Sequence, residues 1–165
     1  MENMLKKIKR FMIVAAAAVM LSAGFATVAP KEASAHWADN NMNWAMSKGY
    51  IKSDNRDSYL TRQETWLVLG RYHQKRPQWP NSKPLNTYEQ GRQYVMYEGI
   101  SDGLRGTDNI TRNEVAVMLV HFLYPKSDYN RSIQAAKNWG LFDGTRGTSY
   151  ATKAEIVTMM HNFAP

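Results

Sequence analysis

The feature that most constrains this chain is a glycine followed twelve residues later by Thr-x-x-Glu, and it occurs three times. Gly49 leads to Thr61 and Glu64, Gly99 to Thr111 and Glu114, and Gly140 to Thr152 and Glu155. Behind each threonine the same apolar register returns: Thr65, Val68, Leu69 and Tyr72; Val115, Met118, Leu119 and Phe122; Ile156, Met159, Met160 and Phe163. Spacings of i, i+3, i+4 and i+7 mark one face of an amphipathic helix. Ahead of each glycine lies a second helical pattern, with Trp44-Ala45, Tyr94-Val95 and Ala135-Ala136 in equivalent places. Each unit therefore predicts a helix, a glycine stop, a loop of about ten residues and a second helix.

The residue types suit those places. Glycine ends a helix in the left-handed conformation without a Cβ clash. Thr and Glu three residues apart form a capping box, the hydroxyl accepting a backbone N–H and the carboxylate reaching back to the threonine amide. The units span residues 36–73, 87–123 and 128–165. Residues 74–86, with Pro77, Pro80 and Pro84, predict an extended linker, and the join with Pro125 is shorter. One helix-loop-helix unit cannot bury its apolar face alone. The expected fold is all-α, three repeats sharing their faces in one pseudo-threefold domain.

The N-terminus reads as a processing segment. Lys6, Lys7, Lys9 and Arg10 precede an uncharged run from Phe11 to Pro30, and Ala33-Ser34-Ala35 has the small residues of a signal-peptidase site. A retained membrane anchor is the alternative. Cleavage of a signal peptide over residues 1–35, which hold five Lys/Arg and two Asp/Glu, leaves 130 residues and lowers the net charge from +7 to +4. The expectation is an exported chain without a membrane span, filled by its repeats and leaving no room for a cargo domain. The absence of cysteine excludes disulfides, Cys-based zinc and a thiol nucleophile.

The start His36-Trp37-Ala38, the Gly-Ile or Gly-Leu after the first helix and the T-R-x-E box together resemble S-layer homology (SLH) domains. The hallmark segment is matched by Leu60-Thr61-Arg62-Gln63-Glu64 and Ile110-Thr111-Arg112-Asn113-Glu114, with Ala151-Thr152-Lys153-Ala154-Glu155 as the third copy. The resemblance covers essentially the whole chain after residue 35. It implies a three-pronged helical fold that holds a secreted protein noncovalently at the wall or S-layer surface of a Gram-positive-type bacterium. It also implies an anionic, pyruvylated secondary cell-wall polysaccharide as ligand, bound in grooves between repeats.

The residues separately suggest anion binding. Arg62, Arg112 and Lys153 each occupy the first turn of a second helix, where free N–H groups and the helix dipole favour an anion and a cation is locally unfavourable. An arginine fork offers a carboxylate two parallel hydrogen bonds, and Lys153 a point charge. The competing reading pairs these cations with carboxylates of a neighbouring repeat. Asp102, Gly103 and Arg105 match Asp143, Gly144 and Arg146, and are candidate sugar contacts or ordinary turn residues. The first repeat departs from this pattern with Lys52 and Ser53-Asp54-Asn55. That counts against its groove and makes the second repeat's site the most intact. Trp37, Trp44, Trp66 and Trp139 read mainly as core residues, with Trp37 also a candidate for stacking on a sugar; Trp79 lies in the linker.

An enzyme is not expected. His36, His73, His121 and His161 fall at non-equivalent positions, no H-E-x-x-H or nucleophile-elbow motif occurs, and no cofactor is implied. Nucleic-acid binding is disfavoured by the export signal, the modest charge and the lack of a basic stripe. An assembly or adaptor protein, using the repeats to contact other surface proteins, remains the alternative to a wall-binding module.

Overall fold

A computed structural model describes residues 36–75 and 83–163. The predicted signal peptide, Trp79, Pro77 and Pro80 lie outside the described residues. The described chain is all-α, with helices α1 (Asp39–Ser47), α2 (Arg62–Gln74), α3 (Tyr88–Tyr97), α4 (Arg112–His121), α5 (Tyr129–Asn138) and α6 (Lys153–Phe163). None of them is long and apolar enough to cross a membrane. Helix α2 runs through Gln74, so the first residue of the predicted linker is helical.

The punctuation acts as the residue types require. Gly49, Gly99 and Gly140 take φ of 71°, 69° and 70° just beyond α1, α3 and α5. The Thr61, Thr111 and Thr152 amides donate to Oε2 of Glu64, Glu114 and Glu155 at 2.8, 2.9 and 2.9 Å. Each hydroxyl in turn accepts from the glutamate's own N–H, at 3.3 to 3.4 Å. A further capping box, Thr87 with Gln90, starts α3.

The helices do not pack mainly within their own units. Helix α2 packs on α3, α4 on α5, and α6 on α1, so each first helix lies against the second helix of another unit. Helix α6 also contacts α4 and α2. This exchange buries α2, α4 and α6 well beyond the predicted stripe: Trp66, Ala116, Val117, Val120, Ala154 and Val157 are buried as well. A helix covered on several sides needs apolar residues all round. Gly91 of α3 lies so close to α2 that a Cβ would meet Leu67 Cα and N at 3.0 Å.

The three loops join in a closed ring. Ile110 N donates to Leu60 O at 3.0 Å, Ala151 N to Ile110 O at 2.9 Å, and Leu60 N to Ala151 O at 3.4 Å. At the other end of the central helices Tyr72, Phe122 and Phe163 meet, with ring centroids 5.5 to 6.4 Å apart. Of the tryptophans, Trp66 is buried, Trp44 packs partly buried against the core, and Trp37 and Trp139 are exposed.

Candidate functional site

Packing each second helix against the next unit's loop places the same set of groups at three junctions. The first-turn amides are consumed there. Arg62 N and Gln63 N donate to Asp108 O and Gly106 O, Arg112 N and Asn113 N to Ser149 O and Gly147 O, and Lys153 N and Ala154 N to Ser58 O and Arg56 O, all at 2.9 to 3.0 Å. With the third amide held by the threonine hydroxyl, the first turns of α2, α4 and α6 keep no free donors for an anion. The sequence argument from free N–H groups does not hold for these helices.

The two arginines are not free either. Arg62, 4% exposed, donates from Nη1 to Glu114 Oε1 at 2.7 Å, from Nη2 to Asp102 Oδ1 at 2.9 Å, and from Nε to Leu104 O at 2.9 Å. Arg112, 7% exposed, donates in the same way to Glu155 and, at 3.0 Å, to Asp143 Oδ1. Arg105 and Arg146, largely exposed, add a second cation to Glu114 and Glu155. Both hold left-handed backbone, with φ of 55° and 48°. That conformation is unfavourable for a residue with a Cβ and persists where the surroundings impose it.

These contacts govern the ionisation of the carboxylates. Burial raises the Glu114 carboxyl, but the Thr111 N–H, Arg62 and Arg105 outweigh it and hold it below the usual glutamate range. Glu155 is lowered likewise: burial is overcome by the Thr152 N–H, Arg146 and Arg112. At Asp102, burial is outweighed by the Leu104 N–H and Arg62. The Thr145 hydroxyl and N–H lower Asp143 most, with Arg112 adding to them.

An open cleft lies at each junction. Arg62, Asp102, Arg105 and Glu114 line one of about 300 Å³, with Tyr129 at its edge. Arg112, Asp143, Arg146 and Glu155 line a second of about 340 Å³, with Trp37 at its edge. Lys52, Ser53, Glu64, Arg71 and Lys153 line the third, about 400 Å³, edged by Tyr88. The three edge aromatics are 46 to 62% exposed. Each comes from the start of a first helix, so three units contribute to every cleft. Predicted residues that lie far apart in the chain, Trp37, Arg112, Asp143 and Arg146 among them, thus share one cavity.

Gly103 and Gly144 are placed differently from the expectation of open amides. A Cβ on Gly103 would meet Met96 Sδ at 2.3 Å, and one on Gly144 would meet Lys137 Cε at 2.5 Å. Side chains of α3 and α5 cover them, and their φ of 69° and 78° accounts for glycine there. Arg112 Nε is buried and makes no hydrogen bond, whereas Arg62 Nε donates to Leu104 O. A buried unsatisfied N–H costs about 1–3 kcal/mol.

One set of positions escaped the sequence reading. Arg71, His121 and Asn162 each lie ten residues beyond their capping threonine, and each faces two carbonyls. Arg71 donates to Leu85 O and Tyr50 O, Asn162 to Gly140 O and Leu141 O, and the His121 ring nitrogens face Ile100 O and Ser127 O. All three clamp the backbone that follows a first helix. Their only common signal is register, since the residue types differ.

Among the described residues, no group of three or more His, Asp or Glu is placed to hold a metal ion. No family model matches the chain, and no curated protein matches it.

Proposed function

We propose that the chain is a noncatalytic module that binds a cell-wall polysaccharide, anchoring itself at the bacterial surface in the manner of SLH repeats. The observation that carries this reading is the second cleft. There the exposed Trp37 lines one cleft together with Arg112, Asp143 and Arg146. An aromatic face beside hydrogen-bonding groups fits the alternating apolar and hydroxylated faces of a sugar. The closed ring of loop hydrogen bonds and the exchange of helices between units suit the pseudo-threefold arrangement expected of such repeats. The T-R-x-E resemblance supplies the polymer class, an acidic secondary wall polysaccharide, and the signal-like N-terminus agrees with an extracellular site.

The test is sedimentation of the chain with purified walls, before and after chemical removal of the secondary polymer. Retention is expected on intact walls and loss of retention on stripped ones. Undiminished binding to stripped walls would overturn the proposal and turn attention to protein partners, as an assembly or adaptor role requires.

A further inference from the structure

The three clefts differ in charge, and the difference falls on equivalent residues. Three residues beyond the glycine stop stand Asp102 and Asp143 in the second and third units, but Lys52 in the first. One residue beyond the capping threonine stand Arg62 and Arg112, and Lys153 in the third unit. The first and second clefts therefore each set two arginines against two carboxylates. The third is lined by Lys52, Lys153 and Arg71 against Glu64 alone.

Among the described residues, no carboxylate forms an ion pair with Lys52, Arg71 or Lys153. Lys153 Nζ reaches only Ser53, its carbonyl at 3.2 Å and its hydroxyl at 3.4 Å, and makes no ion pair among the described residues. Arg71 donates to two backbone carbonyls. Glu64 Oε2 is taken by the Thr61 amide and hydroxyl at 2.8 and 2.9 Å, and Asp54, which lies nearby, is paired with Arg56. Like charges facing one concavity raise its affinity for an oxyanion, and partial desolvation strengthens the attraction. Burial lowers the pKa of the Lys153 ammonium, with Glu64 and Asp54 acting in the opposite direction. An anion at Lys153 would offset that desolvation.

We propose that the cleft between the third and first units takes the acidic substituent of a bound saccharide, with Lys52 and Lys153 as the paired cations and Tyr88 facing the sugar ring. The first and second clefts, neutralised from within, are then left to contact uncharged sugar hydroxyls. This rests on the reading of the clefts as a glycan-binding surface, and assigns the anion to the cleft that the departing first repeat creates.

The test is amide NMR of the full chain titrated at low salt with three probes: glucuronate, glucose and acetate. Glucuronate is expected to shift Lys52, Ser53 and Lys153, with glucose and acetate weaker. Lys52→Asp, which restores the residue found in the other two units, should weaken glucuronate binding at least about tenfold, the order expected of one charge-assisted contact. Lys52 is exposed, and Lys52→Ala provides a second variant should the aspartate disturb the loop. Shifts confined to Arg62 and Arg112, no shift at all, or glucuronate binding unchanged in both variants would each overturn the proposal. Acetate binding as tightly as glucuronate would overturn the saccharide assignment. Wall sedimentation in parallel separates the two readings. Retention that Lys52→Asp leaves unchanged sinks this inference alone, and a wild-type chain that ignores walls yet binds glucuronate here sinks only the wall assignment.

Discussion

Arg62 Nη1 donates to Glu114 Oε1 at 2.7 Å, linking the first turn of α2 to the carboxylate that caps α4. One glutamate thereby closes its own helix through Oε2 and fastens the neighbouring unit through Oε1. Arg112 and Glu155 repeat the relation between α4 and α6. The T-R-x-E segment is thus both a cap and a coupling between units.

Arg62→Ala should destabilise the fold by about 3 kcal/mol, because it leaves the largely buried Glu114 carboxylate without its buried cationic partner and Asp102 without its ion pair. Lys153→Ala, which removes no ion pair, should cost under about 1 kcal/mol. Urea midpoints with m-values would decide the matter. Equal losses from the two variants would refute the distinction.

Acid should loosen the same couplings. The folded-state pKa values of Glu114 and Glu155 are lowered, so their stabilising contribution is complete above the ordinary glutamate value, near 4.5, and disappears as pH falls below it through the lower folded values. Stability measured from pH 7 downward should fall across that window. In Glu155→Gln the fall should be shallower, and an unchanged slope would exclude Glu155 as a contributor.

Two glycine substitutions should separate steric from conformational roles. Gly91→Ala forces a Cβ to 3.0 Å from the Leu67 backbone and should cost about 2 kcal/mol by overpacking α2 against α3. Gly140→Ala meets nothing within 4 Å, yet its φ of +70° should cost about 1 kcal/mol. Thermal or urea unfolding of both would show the order, and a Gly91→Ala protein as stable as wild type would mean the helices can move apart.

Trp37→Ala should reduce wall retention several-fold while leaving the unfolding midpoint within about 0.5 kcal/mol, as expected for an exposed side chain away from the core. Retention at the wild-type level would remove Trp37 from the binding surface. A large stability loss would instead make it a packing residue.

Much of the local structure was legible in the chain because it depends on near neighbours. The glycine stops, the capping boxes and the apolar register all follow from contacts within a few residues, and the all-α fold follows from them. The extra burial of Val117 or Val157 was not legible, because it arises from a helix belonging to another unit. Nor was the shared role of Arg71, His121 and Asn162, whose chemistry differs although each donor faces carbonyls. The cleft residues were found singly, by motif position, while their grouping around Trp37, Tyr88 and Tyr129 depends on which first helix arrives at which junction.

By itself, the sequence determined where the first helices end, where the second helices begin and that the unit recurs three times, since caps and periodicity act over a few residues of chain. Only the tertiary structure decided which charges are spent. Arg62 and Arg112 meet carboxylates across a unit boundary, whereas Lys153 meets Ser53, beside Lys52. Electrostatic pairing depends on distance in space, and the chain distances here run from 31 to 100 residues. The departure at Lys52, which counts in sequence against the first repeat's groove, becomes in three dimensions part of a cleft whose cations outnumber its carboxylates.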